Sequence, residues 1–123
     1  MAELTAERLK NLGVSRVFLM ATEGTIKTGV YKKYLDKHNI GIVSPSEDEI
    51  KEMTRVIYDE VKAGKKTPDA GGLYKIAGKY IGLGCEKIIL GCTELSTLHM
   101  IGEDFVDAME ILKDGILEAF VVK

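Results

Sequence analysis

The feature that most constrains this chain is "SRVFLMA" at residues 15–21, an apolar run without the inward–outward alternation of a surface strand. Such a run must be covered on both faces, as a strand inside a parallel sheet is. "NIGIVS" and "KIILG" read as a second and a third strand, and a brief "FVD" follows near the end. Helical patterns separate them. "TAERLKN" with Leu4, Leu9 and Leu12 predicts a short opening helix stopped by Gly13 as a left-handed cap. "IKTGVYKKYLDKH" reads as one helix running through Gly29. In "PSEDEIKEMTRVIYDEVKAG", Ser46 and Glu49 form a capping box, Ile50, Met53, Ile57 and Val61 share a face, and Gly64 ends the helix. "TPDAGGLYKIAGKYIGLG" predicts another, capped by Thr67 with Pro68 in its first turn and with Leu73, Ile76, Ala77 and Tyr80 on one side. The last helix carries Met109, Leu112, Ile116 and Phe120. Strands alternating with helices give an α/β fold, a small parallel sheet with helices on both faces.

Composition narrows the function classes. The 123 residues suit one modest core, and 17 basic residues mixed among 19 acidic ones leave no basic face for phosphates, so nucleic acid is not an expected partner. "MAELTAERLKNLG" lacks the apolar centre of a signal peptide, and no run reaches the roughly 18 apolar residues of a membrane span, so no membrane partner and a cytoplasmic location are expected. Cys85 and Cys92 flank one strand, and a bond between them would fold that strand back on itself; both read as free thiols. Two histidines, His38 and His99, with no Cys/His cluster, predict no metal site.

In parallel sheets ligands bind beyond the carboxyl ends of the strands. After the first strand comes "ATEGT", where Thr22 and Thr25 precede a helix start and read either as caps or as ligand contacts. After the third comes "GCTE". Cys92 there is either a buried small hydrophobe or a thiol at a cleft mouth whose pKa a helix start lowers. Gly91 either admits a ligand to the backbone or ends the strand. Cys85 lies at the other end of that strand, and Lys62, His99 and Glu103 read as surface residues.

Together, "VFLMATEGTIKTGVYKKYL", "IYDEVKAG", "GCEKIILGCTELS" and "FVDAMEIL" resemble the aspartate/glutamate racemase family, in matching order along nearly the whole chain. The resemblance implies one of the two similar domains of that fold. It further implies a cofactor-independent isomerase of small acidic amino acids, in which two thiols flank the α-carbon. Cys92 then corresponds to the second-domain acid/base, with Thr93 beside it on the substrate carboxylate and Thr22 and Thr25 also contacting substrate. Glu94 stands where glutamate-specific relatives often carry histidine, which leans toward the aspartate or broad-specificity branch. Lys62 falls about where aspartate racemases hold a side-chain carboxylate.

The family's other cysteine, in an Asn-Thr motif of the first domain, has no counterpart here. The expected organisation is therefore a second catalytic domain at residues 1–104, with 105–123 a strand and helix that in relatives pack on the first domain. The expected partner is a first-domain chain or a second copy in a homodimer, and the chain alone is expected to be inactive. The other reading is a non-catalytic binding or self-associating domain derived from a racemase, with Cys92 structural.

Overall fold

The computed structural model describes residues 2–100 and 102–121, residues 117–121 by backbone alone. At its centre β1 (Arg16–Met20) pairs in parallel with β2 (Gly41–Val43) on one side and with β3 (Lys87–Leu90) on the other. β4 (Phe105–Asp107) adds in parallel to β3, so the order among the described residues is β2-β1-β3-β4. This is the α/β arrangement the apolar runs predict.

Successive residues of β1 point to opposite faces, and both faces are buried, which is why the strand shows no alternation. Phe18 and Met20, with Ile88 and Leu90 of β3, pack against Met53 of α4 (Glu47–Arg55) and Leu73 and Tyr80 of α5 (Gly71–Gly82). Val17 and Leu19, with Ile89, pack on the other side against Leu9 of α1 (Ala2–Asn11) and Tyr31 and Leu35 of α3 (Val30–Lys37). Each of these buried side chains contributes up to about 1.5–3 kcal/mol.

Gly13 caps α1 with φ 74° as expected, but Leu12, one residue beyond the helix, is 57% exposed rather than on its buried face. The helix expected to run through Gly29 is two helices, α2 (Glu23–Thr28) and α3, because Gly29 takes the left-handed conformation at φ 69° and donates its N–H back to the Ile26 carbonyl. The start of α5 also differs. Thr67 and Pro68 lie in a loop, and the helix begins at Gly71. The cause is Glu60, whose buried carboxylate pairs with Lys65 and accepts the Asp69 N–H at 2.7 Å, holding the loop against the end of the preceding helix. Asp69 in turn accepts the Gly71 N–H at 2.9 Å.

The Ser46–Glu49 capping box forms as expected. Past Arg55 the helix widens into a π-helical segment, Val56–Val61, in which the Lys62 N–H reaches the Ile57 carbonyl five residues back at 2.8 Å. Nothing in the apolar spacing announces this change. Between β3 and β4 comes α6 (Thr93–Ser96), a single turn, and after β4 comes α7 (Ala108–Val121), which packs on α1. Phe120, expected on the apolar face of α7, lies outside the residues whose side chains are described.

Glu49 joins three parts of the fold. Its carboxylate accepts the Tyr80 hydroxyl at 2.6 Å, the Ser46 N–H at 2.8 Å and the Lys79 ammonium at 3.0 Å, while the Tyr80 ring stacks on Phe18 with centroids 3.8 Å apart. Burial alone would raise its pKa, but these hydrogen bonds outweigh burial and bring it down to about 2 from 4.5. A depressed carboxylate pKa contributes stability that is complete above pH 4.5 and lost as pH falls through about 2. Tyr80→Phe is expected to cost about 1.5–3 kcal/mol in urea unfolding at pH 7, the range for hydrogen bonds to charged groups. The difference from wild type should shrink at pH 2; an equal loss at both values would rule out the carboxylate as its source.

Candidate active site

The register fixes which residues leave the sheet together. Met20 stands opposite Leu90, and the Gly91 N–H donates to the Met20 carbonyl at 2.8 Å, so the chain emerges from β1 and β3 side by side. The next residues are Ala21 and Thr22 on one strand and Gly91 and Cys92 on the other. Two of the sequence candidates are thereby neighbours at the carboxyl edge of the central strand pair.

Thr22 is the N-cap of α2. Its Oγ1 accepts the Thr25 N–H at 3.3 Å, and its hydroxyl donates to Thr25 Oγ1 at 2.9 Å. Both threonines are half-buried, Thr22 as the cap and Thr25 in the first turn it caps, so their hydroxyls meet a ligand only while also engaged with each other at the helix start. Beside them a cavity of about 200 Å³ is lined by Thr22, Gly24, Thr54, Ile57 and Tyr58.

Cys92 precedes α6 and is 8% exposed. The expectation of a lowered thiol pKa in an open cleft is corrected by this setting. Burial pushes the thiol up, and the adjacent Glu94 carboxylate adds to the rise by its charge and by accepting a hydrogen bond. The amides of Leu95 and Glu94 favour thiolate, but α6 is one turn long and the Cys92 side chain makes no capping hydrogen bond to it. Its dipole is too short to outweigh desolvation. Cys85 is buried beneath the opposite end of β3, its thiol also pushed up by burial.

Thr93 is exposed at the start of α6. Glu94 is half-buried and pairs with Lys62 at 3.7 Å, while the Lys62 ammonium sits 4.5 Å from the centre of the Tyr58 ring. The π-helical segment thus delivers Lys62 to the edge of the site. An ion pair this exposed contributes under about 1 kcal/mol and opens readily.

Three residues at this edge, Asp107, Ser96 and Tyr31, are absent from the sequence candidates. Asp107, at the end of β4, accepts the Ser96 hydroxyl at 2.7 Å and the Met109 N–H at 2.9 Å, tying α6 to the start of α7. An aspartate immediately before "AMEIL" is an N-cap signal that could have marked it. The third is Tyr31. Gly91 has no side chain because a Cβ there would stand 3.2 Å from Tyr31 Cε2 and 3.1 Å from Leu19 Cδ1. Gly91 directly follows the end of β3, and a side chain there would crowd both Leu19 and the Tyr31 ring. In the sequence Tyr31 sits four residues before Leu35 on an apolar face, indistinguishable from a core aromatic.

In parallel α/β domains ligands bind beyond the carboxyl ends of the strands, the edge at which this chain carries Cys92, Thr22 and Thr25. The chain belongs to the Asp/Glu/Hydantoin racemase family, whose pattern matches residues 1–112. It is 30% identical over 119 residues to an uncharacterized protein encoded in the pnlA 3' region of Pectobacterium carotovorum subsp. carotovorum, covering 89% of this chain and 76% of that one. An aspartate racemase homologue from Pyrococcus horikoshii OT3 superimposes with TM-score 0.83 at 30% identity, covering 96% of this chain and 54% of the other. Picrophilus torridus aspartate racemase shares the fold at TM-score 0.72 and 24% identity, over 92% of this chain and 50% of its own. The chain spans about half the length of these solved structures. Among the described residues no helix is long and apolar enough to cross a membrane.

The raised thiol pKa sets an expectation for labelling. Burial leaves the thiol less ionised than free cysteine at neutral pH. Iodoacetamide should therefore modify Cys92 more slowly than free cysteine at pH 7, with a rate still climbing above the pH at which free cysteine levels off. A plateau below pH 8, read by peptide mass mapping, would show a thiolate that this geometry does not support.

Proposed function

We propose that this chain is the second catalytic half of an amino-acid racemase of the aspartate/glutamate type, with Cys92 as the acid/base thiol for one face of the α-carbon. What supports the reading is that the segments bearing Thr22 and Cys92 leave the paired ends of β1 and β3, in a chain of the racemase family. Racemisation takes a proton from one face of the α-carbon and returns one to the other, so two groups of opposite protonation state are needed. A buried Cys92 rests as the neutral thiol, which is the donor. In that step the S–H bond breaks, its electron pair stays on sulfur, and the proton forms the new C–H bond. The base on the opposite face comes from a complementary half, a first-domain chain or a second copy, seated over the carboxyl edge.

The α-carboxylate of an acidic substrate is met by the hydroxyls of Thr22, Thr25 and Thr93, and its side-chain carboxylate by Lys62, which must first leave Glu94. Thiols and hydroxyls carry this proton transfer without a cofactor. Polar groups aimed at the carboxylate stabilise the carbanion only when water is excluded, so the open half-site alone should do little.

An apolar strip on α7 favours the self-associating alternative as well. Met109, Leu112 and Ile116 line a shallow groove, and Ile116 is 50% exposed. Sedimentation with an added first-domain fragment distinguishes the two: a dimer of this chain that the fragment neither dissociates nor activates supports the binding-domain reading, and a monomer counts against it.

The racemase reading is tested by proton NMR of D- and L-aspartate and glutamate in heavy water. The chain alone is expected to give no measurable α-hydrogen exchange, and addition of a first-domain fragment from a relative should restore it. Cys92→Ala should then abolish exchange by at least a hundredfold. Restored exchange that survives Cys92→Ala would remove the thiol from the reaction.

A further inference from the structure

Tyr31 presents a chemical anomaly at this edge. The residue is 2% exposed, and among the described residues its hydroxyl is the one buried side-chain oxygen or nitrogen without a hydrogen-bond partner. Leaving such a donor unsatisfied costs about 1–3 kcal/mol, a cost that Phe would avoid while filling the same space. The ring lies against Gly91, with Cζ, the carbon bearing the hydroxyl, 3.3 Å from where a Cβ would stand. The hydroxyl therefore ends beside the residue that precedes Cys92. Burial together with the charges of Cys92 and Asp107 pushes the phenol up to about 12, which keeps it a donor throughout the range in which a thiol titrates.

We propose that Tyr31 is a positioning residue for the Cys92 thiol: once Cys92 has lost its proton, the Tyr31 hydroxyl donates to Sγ and holds the negative charge. This rests on the reading of Cys92 as the acid/base group and supplies what that reading lacks. The amides of Leu95 and Glu94 favour the thiolate, but the side chains around it do not: Glu94 on α6 repels it and is paired with Lys62, and Asp107 at the end of β4 is acidic and bound to Ser96 and Met109. Among the described residues the α3 side adds a buried side-chain donor with no other partner. A thiol kept neutral by burial and relieved by one phenol on ionising can serve as acid in one direction and base in the other. The Gly91 gap is then the feature that lets the phenol come this close.

The test is the pH dependence of Cys92 alkylation by iodoacetamide, with no amino acid present and Cys85 mapped in the same digest. In Tyr31→Phe the Cys92 midpoint is expected to rise by about one pH unit, a tenfold loss of thiolate at any lower pH, as follows from removing one hydrogen bond to a charged group. The Cys85 profile should not move. An unchanged Cys92 midpoint overturns the proposal. If Tyr31→Phe does not fold, wild-type protein carrying ¹³C at tyrosine Cζ serves instead. The Tyr31 resonance should step at the Cys92 midpoint, and the step should vanish in Cys92→Ser; a resonance blind to Cys92 overturns the proposal equally. Because both readouts address the resting thiol, their failure is separable from any failure of α-hydrogen exchange.

Discussion

The pairing of β1 with β3 is the constraint on which the rest of the structure depends. It is the longest pairing in the sheet, four residues in register, and its last rung is the Gly91 N–H on the Met20 carbonyl. Because both strands are parallel and stop at the same level, their following loops are forced into contact with one another. Each strand is too short to persist without its neighbour, and each is apolar on both faces, so neither tolerates exposure. A slip of this pairing by one residue would turn every side chain of β3 to the wrong face and separate Cys92 from Thr22. Site and core are therefore specified by the same hydrogen bonds.

Burial and reactivity pull against one another at Cys92. The layering that brings the thiol to the strand end also desolvates it, and a single helical turn cannot reverse the effect. In the proposed reaction that conflict is useful, since a thiol that rests protonated is ready to give its proton to a carbanion. It also explains why the neighbouring polar residues are so heavily engaged with each other. Thr22 holds Thr25 and Asp107 holds Ser96, while the more exposed Glu94–Lys62 pair opens readily, so the site combines fixed polar groups with one that can be released.

Much of this was legible in the residues. Continuous apolar runs in β1 and β3 identified a doubly covered parallel sheet, and the Ser46–Glu49 box located the start of α4 without ambiguity. "GCTE" and "ATEGT" stood at strand ends, where sheet geometry alone would look for ligands. What escaped the sequence depends on long-range contacts. Gly29 reads as a tolerated helix residue until the chain has to turn there, and the loop before α5 is held by Glu60, nine residues away from Asp69. The acidity of Cys92 could not be read from its position, because local dipole and global burial have opposite signs. Tyr31 was invisible for a simpler reason: an apolar face says that a ring is buried, not where its hydroxyl ends.

The π-helical segment at Val56–Val61 has a consequence for how such a site diversifies. A π-turn holds one more residue than an α-turn, and each residue of an α-helix advances the azimuth by about 100°. A return to regular winding at constant length would rotate everything downstream by about that angle and carry Lys62 away from Glu94 with no residue replaced, whereas deleting the extra residue would leave Lys62 in phase. The winding at this point acts as a phase setting for the side chain presented to the site.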